Sequence, residues 1–239
     1  MTALPLIVWV VVPYVAAAFF VGGHVWRLRG IRSTGARRPV PADGGRLRRL
    51  GSPLFHVGVL MVIAGHAVGM LIPSAWLDAI GIDERIYHPV ATWLGMGAAA
   101  ITLAGLAILL ARPRPLPHSR PASASRRRPM TAMDVAMFAL LSATLVFGTV
   151  ATVQFQVFGA GYEYRGSVAP WMRSLLALQP QPALMADVPL MFQLHILSAV
   201  LLFAVWPFTR LIHVVGVPLA LLVRRRGVYR SGGTRPARR

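Results

Sequence analysis

The sequence predicts an all-α integral membrane protein, a bundle of five transmembrane helices. The chain has 239 residues, of which 56% are apolar and only 13% are charged, about half the charged fraction of a typical soluble domain. Five apolar stretches are each about 20 residues long, which is the length that crosses a hydrocarbon core of about 30 Å. These stretches are Leu4–Trp26, Pro53–Ile72, Pro89–Leu110, Ala132–Phe158 and Val188–Phe208. We expect one bundle domain over residues 1–223 and a basic, irregular tail over residues 224–239.

The distribution of arginine predicts how the helices are oriented. All 25 basic residues are Arg, and the chain contains no Lys. Eight arginines lie between Trp26 and Leu50, six between Ala111 and Thr131, and seven after Val223. The positive-inside rule therefore places both Arg-rich loops and the C-terminus in the cytoplasm and the N-terminus outside. We interpret the net charge of +18 as a topology signal that contacts anionic lipid headgroups, and expect no nucleic-acid partner.

Local signals predict where three of the helices begin or end. Ser52 is a suitable N-cap and Pro53 fits a first helical turn, so the second span is expected to begin there. The fifth helix is expected to continue past Pro207, with a bend, as far as His213. The segment Trp171–Leu178 is expected to form a short amphipathic helix at the membrane surface.

The absence of cysteine limits the chemistry of the chain. With no cysteine there can be no disulfide, no iron–sulfur ligation and no C-x-x-C-H attachment of c-type haem. Any redox centre within this chain must therefore be held non-covalently by other side chains.

Histidines carry the strongest functional signal. The chain has seven: His24, His56, His66, His88, His118, His195 and His213. His66 and His195 lie within spans, where an ionisable side chain is costly and functional by default, whereas His118 lies in a loop and is interpreted as solvated. Since spans two and five run in opposite directions, His56 and His213 fall at the cytoplasmic level and His66 and His195 fall toward the outside. Neutral imidazoles on facing helices commonly hold haem iron, so the pattern predicts two b-type haems across the membrane.

The spacing within each helix tests that prediction. His195 and His213 are 18 residues apart, five turns of an ideal helix, and would share one face; His56 and His66 are 10 apart and would lie roughly 80° out of phase. The two separations along the helix axis, about 27 Å and about 15 Å, also differ, so tilt, a bend or glycines must absorb the difference. A haem-free transporter or proton-relay bundle is the alternative that the pattern leaves open.

At the same residues the chain resembles the gamma subunit of respiratory nitrate reductase, a membrane cytochrome b. The matching segments are Val11–Val15 (VVPYV), Gly51–Leu60 (GSPLFHVGVL), Ala64–Pro73 (AGHAVGMLIP), Phe192–His195 (FQLH) and Trp206–His213 (WPFTRLIH). The resemblance covers nearly the whole chain in the same five-span order. The first cytoplasmic loop lacks the aromatic and basic pattern expected of the family, and the absence of Lys is unusual.

The resemblance implies a set of ligands and partners. It implies that His56 and His213 bind the iron of the haem nearer the cytoplasm, and that His66 and His195 bind the iron of the outer haem. It further implies a bacterial inner-membrane protein that oxidises menaquinol or ubiquinol near the outer haem. Electrons would pass through the two haems to an iron–sulfur beta subunit on the cytoplasmic face, and a molybdenum alpha subunit would reduce nitrate.

Four further residues are candidates for binding quinol or haem propionates. Arg85 and His88 lie near the external start of the third span and are candidates for the quinol site, where a basic group must take up protons. Arg112 and Arg210 lie at cytoplasmic ends of spans and are candidates for binding haem propionates. The alternatives are interfacial snorkelling for the first pair and topology anchors for the second. The same cytochrome could also serve another oxidoreductase, of the sulfite- or heterodisulfide-reduction type.

Overall fold

The computed structural model of the chain describes residues 3–33, 46–111, 131–159 and 161–209. Within these residues five helices are long and apolar enough to cross a membrane, which confirms the predicted fold class. They are Ala3–Arg27, Leu50–Leu71, Glu84–Leu110, Ala132–Val157 and Leu190–Phe208. The direction of the chain across the membrane stays a prediction, and the predicted tail over residues 224–239 lies outside the described residues.

The helical elements follow one another along the chain without a β-strand among the described residues. The α-helices are α1 (Ala3–Leu6), α2 (Val12–Ser33), α3 (Arg46–Leu71), α4 (Ser74–Ala79), α5 (Glu84–Leu110), α6 (Ala132–Ala151), α7 (Val168–Leu176) and α8 (Leu190–Val205). A π-helical turn, Ile7–Val11, joins α1 to α2, and another, Thr152–Val157, extends α6. Short 3₁₀ turns occur at Tyr164–Gly166, Pro182–Met185 and Trp206–Phe208.

Side-chain caps fix the starts of α5 and α6. The Asp83 carboxylate accepts the backbone N–H of Ile86 at 3.1 Å, so α5 begins five residues before the predicted Pro89. At α6, Thr131 and Asp134 form a reciprocal capping box, with N···O distances of 3.2 and 3.0 Å. Such caps satisfy N–H groups that the first helical turn leaves without a partner.

The predicted start of the second span at Ser52 and Pro53 is wrong, because α3 begins at Arg46 and runs through Pro53. A proline removes one backbone hydrogen bond, but neighbouring helices can compensate for this in membrane helices. Here the turn before Pro53 is pressed against α5. A Cβ atom placed on Gly51 would lie 2.6 Å from Cγ2 of Ile108, so only glycine allows this approach.

The predicted continuation of the fifth helix is also wrong, since α8 ends at Val205 and passes into the 3₁₀ turn Trp206–Phe208. Pro207 has no N–H to donate and its ring obstructs the preceding turn. Thr209 is extended (φ −105°, ψ 179°), and both its N–H and its hydroxyl donate to the Trp206 carbonyl, at 3.1 and 2.8 Å. The five-turn argument relating His195 to His213 therefore does not hold.

The long helices pack as two layers. α3 packs mainly against α5, and α8 packs mainly against α6 and α2. Two glycines allow close approach in the first layer: a Cβ atom on Gly105 would collide with the backbone nitrogen of Phe55, and one on Gly58 would collide with Thr102. Small residues are the usual means by which membrane helices approach closely. The space between the layers contains the site described next.

The short helix α7 closes one end of this space. Trp171 is fully buried, and its indole N–H donates to the Trp9 carbonyl at 3.0 Å. Arg173 donates to the carbonyl of Met70 near the end of α3 at 3.0 Å, and the Tyr14 hydroxyl donates to the Leu175 carbonyl, also at 3.0 Å. A short helix is thus present, but over Val168–Leu176 instead of the expected Trp171–Leu178, and one of its faces lies in the core.

Candidate functional site

Two histidines face each other between the layers. The ring centroids of His66 on α3 and His195 on α8 lie 5.7 Å apart, with 33° between the ring planes. Each Nδ1–H is assigned to a backbone carbonyl, that of Val62 for His66 and that of Thr144 for His195, both at 2.8 Å. A neutral imidazole that donates from Nδ1 keeps its lone pair on Nε2. Both rings are therefore held in the tautomer that ligates a metal through Nε2.

A cavity of about 530 Å³ surrounds the pair, within the size range of small-molecule and cofactor sites. Most of its lining is apolar. Glycines shape it in two ways. Gly148 on α6 lies against the His195 ring, where a Cβ atom would approach Cε1 and Nδ1 to 2.7 Å, whereas Cβ atoms on Gly65 and Gly95 would have no neighbouring atom within 4 Å. The walls thus provide open, flat surface beside His66.

The donor set of the cavity fits haem. Among the described residues no group of three or more His, Cys, Asp or Glu side chains could hold a metal ion. Two imidazoles alone suit a metal whose other ligands come from a cofactor, as those of haem iron come from the porphyrin. Two metal–nitrogen bonds of about 2 Å each would place the two ring centroids about 6 Å apart. The observed 5.7 Å is close to that separation.

One end of the cavity is polar. The Arg165 guanidinium lies 4.1 Å above the Tyr87 ring, and its Nη1 donates to Oε2 of Glu84 at 3.3 Å. The hydroxyls of Tyr87 and Tyr164 are hydrogen-bonded at 2.9 Å. Both hydroxyls lie over Gly69, one helical turn beyond His66, where a Cβ atom would be 2.9 Å from each. We call Glu84, Tyr87, Tyr164 and Arg165 the polar end of the cavity.

The polar end is rich in hydrogen-bond donors. Burial raises the pKa of Tyr164 far above its usual range, and the hydrogen bond with Tyr87 raises it further, while the charge of Arg165 lowers it by less. Tyr164 therefore keeps its proton at physiological pH. Because only one hydroxyl of the tyrosine pair donates to the other, one O–H stays available to a third group.

Of the two residues predicted for a quinol site, His88 lines the cavity and Arg85 does not. His88 is half-buried, whereas Arg85 is exposed on α5. Gln156, which the sequence did not single out, also lines the cavity. Its Nε2 donates to the Tyr162 carbonyl at 2.8 Å, and its buried Oε1 accepts no hydrogen bond from any described residue.

Of the second predicted histidine pair, His56 and His213, only His56 is among the described residues. His56 is half-buried, and its Nδ1–H donates to the Ser52 carbonyl at 2.7 Å. Its predicted partner His213, together with Arg112 and Arg210, lies outside the described residues.

Sequence reasoning also missed Arg165 and Gly148. One signal pointed to Arg165, because the positive-inside rule disfavours arginine in external loops and Arg165 is one of only three arginines predicted there. No sequence pattern distinguished Gly148, since its function depends on which ring packs against it.

Comparison with known proteins identifies similar chains. The family model described as nitrate reductase gamma subunit matches residues 5–232. The chain is 34% identical to the nitrate reductase gamma chain of Bacillus subtilis, over 94% of this chain and 97% of that one. It is 27% identical to the respiratory nitrate reductase 1 gamma chain of Escherichia coli, over 92% and 94%. It is also 40% identical to the nitrate reductase-like protein NarX of Mycobacterium tuberculosis, over 97% of this chain but only 35% of that longer protein.

Proposed function

Because this chain belongs to the nitrate reductase gamma subunit family, we propose that it is the membrane cytochrome b of a quinol-dependent nitrate reductase. The five apolar helices and the family make it a multi-pass bacterial membrane protein. We propose that it accepts electrons from quinol within the membrane and transfers them to partner subunits that reduce nitrate.

The observation that carries the proposal is the facing pair of His66 and His195. Both imidazoles have Nδ1 fixed by a carbonyl, both line one cavity, and their separation suits a metal between them. We assign them one b-type haem, and we assign the second haem to His56 and His213. When bound, the two haems supply one-electron transfer across the membrane.

The quinol site is proposed at the same cavity. Oxidation of a quinol releases two protons, so its hydroxyls need acceptors that lead to water. The unpartnered Oε1 of Gln156 can accept a hydrogen bond from a quinol hydroxyl, and the half-buried His88 can take up a proton. Glu84 and Glu163 line the cavity and are exposed, which links it to solvent. Arg85 is exposed on α5 and does not line the cavity, so we propose that it only adds positive charge near the cavity entrance.

The proposed partners dock on the cytoplasmic face. The chain has no cysteine, so iron–sulfur centres must belong to a separate beta subunit, and nitrate chemistry to a molybdenum alpha subunit. By the predicted topology the Arg-rich segments lie on that face. Arg112 and Arg210 are proposed to bind propionates of the haem held by His56 and His213.

Haem quantitation on the purified chain tests the proposal. We expect two b-type haems per chain and a b-type band in the redox difference spectrum of the membranes. A chain that carries no such band would be a haem-free transporter or proton relay instead.

A second function differs only in the catalytic partner. The strong similarity to a protein named only nitrate reductase-like favours considering the same cytochrome in another oxidoreductase, such as one that reduces sulfite or a heterodisulfide. Purifying the assembled complex and measuring quinol-dependent nitrate reduction separates the two. Haems with no nitrate reduction in a complex of other subunits would favour the second.

A further inference from the structure

One edge of the Arg165 guanidinium makes no hydrogen bond within the described part of the chain. The residue is only 5% exposed, yet just its Nη1 makes a hydrogen bond, to Glu84. Nε and Nη2 are buried and have no acceptor among the residues that the structure describes. A buried charged donor left without a partner is strongly unfavourable. Because Arg165 lines the cavity beside His66 and His195, the acceptor is expected to be part of what fills that cavity.

The geometry of this edge selects the acceptor. Nε and Nη2 carry two parallel N–H groups, the arrangement that binds both oxygens of a carboxylate at once. A single carbonyl or hydroxyl oxygen would have to accept from both N–H groups through bent hydrogen bonds, whereas the two oxygens of a carboxylate meet both groups in line. The tyrosine pair adds one more O–H donor next to it. The polar end of the cavity is therefore built for a carboxylate.

The charges around Arg165 allow such a ligand. Its contact with Glu84 is made to a carboxylate whose side chain is 48% exposed, and ion pairs open to solvent are weak because water screens them. Glu163 also lines the cavity and is exposed. The cavity lining nearby also contains His88, Tyr87 and Tyr164. Arg165 thus keeps most of its charge available to a buried anion.

The location of this edge matches the proposed cofactor. Gly69, beneath the two tyrosine hydroxyls, is three residues from His66, about 4.5 Å along the helix axis. Haem carries two carboxylates, its propionates, on one side of the macrocycle. We propose that Arg165 binds a propionate of the haem held by His66 and His195, with the Tyr87–Tyr164 pair as an additional donor; this rests on the proposed haem binding.

The test uses redox-difference infrared spectroscopy of the full chain containing haem labelled with ¹³C in its propionate carboxyls. Arg165→Met and Arg165→Lys are compared with wild type. The matched control is Arg173→Met, which removes an arginine from the same external region but one that donates to the Met70 carbonyl. We expect both Arg165 variants to shift a labelled carboxylate band, and the control to leave it unchanged.

The reduction potentials of the haems and the rate at which haem leaves the protein are measured in the same variants. Loss of a cation beside the haem favours the ferric state, so Arg165→Met is expected to lower the potential of one haem only, and Arg165→Lys, which keeps the charge, to lower it less. That haem should also transfer to an external acceptor protein about tenfold faster, as expected for the loss of a charge-assisted pair.

Each other outcome has a distinct meaning. Unchanged bands and potentials in both Arg165 variants would overturn the propionate assignment, and a raised KM for quinol in the same variants would assign the edge to quinol instead. A wild-type chain without haem would refute the proposed function itself. Arg165→Lys keeps the assignment testable if Arg165→Met fails to fold.

Discussion

Gly148 on α6 lies against the imidazole of His195 so closely that a Cβ atom on it would be 2.7 Å from both Cε1 and Nδ1 of the ring. Gly148→Ala must therefore displace the ring from the Thr144 carbonyl or push α6 away from α8. If His195 binds haem iron as proposed, we expect the variant to lose one haem, because the displaced imidazole can no longer act as a ligand. Haem quantitation per chain measures this.

Two other glycines serve as comparisons, and Gly97 is the matched control. Cβ atoms on Gly97 and Gly65 would meet no neighbouring atom within 4 Å. Gly97→Ala is outside the cavity lining and should keep both haems. Gly65→Ala lines the cavity, so haem loss in that variant would indicate that the cofactor lies against α3. Two haems with an unchanged spectrum in Gly148→Ala would contradict the assignment of His195.

Removing an imidazole from each proposed pair should affect one haem at a time. His66→Ala is expected to abolish the haem shared with His195 and to stop quinol oxidation, since one remaining ligand does not hold a six-coordinate iron. His213→Ala is expected to abolish the other haem. Redox difference spectra resolve the two bands, and His118→Ala, in a loop predicted to be solvated, should change neither. If both haems survived either change, the ligand assignment would be wrong.

Because α7 closes one end of the space between the two layers, we expect Trp171→Ala to lower the stability of the protein strongly. This side chain is fully buried and its N–H donates to the Trp9 carbonyl, and removing a buried Trp typically costs about 3–5 kcal/mol. Thermal unfolding in detergent is the measurement. Trp76→Ala, at a site that is 70% exposed, should have little effect on stability. Equal losses of stability in the two variants would show that α7 does not stabilise the bundle through Trp171.

The raised pKa of Tyr164 predicts that the stability of the protein changes with pH in the alkaline range. Burial raises the pKa of its hydroxyl far above the ordinary value of 10.0. In the unfolded chain this group releases its proton near pH 10, whereas the folded chain keeps it, so its contribution to stability is complete below that pH and decreases as the pH rises above it. We expect Tyr164→Phe to lose less stability than wild type above pH 10 in thermal unfolding. Identical profiles would show that burial does not hold this proton.

Hydropathy and histidine positions were readable from the sequence because each depends on local composition. The five spans agree with the helices observed, and His66 and His195 lie at one level. The two prolines were interpreted wrongly because a proline disfavours a helix only locally, and its neighbours decide the outcome. α5 lies against the turn before Pro53, whereas Thr209, two residues after Pro207, is extended and bonds the Trp206 carbonyl.

The polar end of the cavity was beyond sequence reasoning for a different reason. Arg165 lies far in sequence from Glu84 and Tyr87, and only the folded chain brings them together. That one edge of a guanidinium lacks a partner is a property of the complete set of tertiary contacts. No residue pattern within the loop encodes it.

The two-layer packing also bears on how the protein is made. Since α3 packs on α5 and α8 on α6 and α2, each layer can complete its own contacts in the lipid before the other has joined it. The seam between them, with His66 on one side and His195 on the other, is then the last part to close. On the proposed function, the prosthetic group bridges this seam, so we expect a chain without haem to insert into the membrane with its two layers incompletely joined.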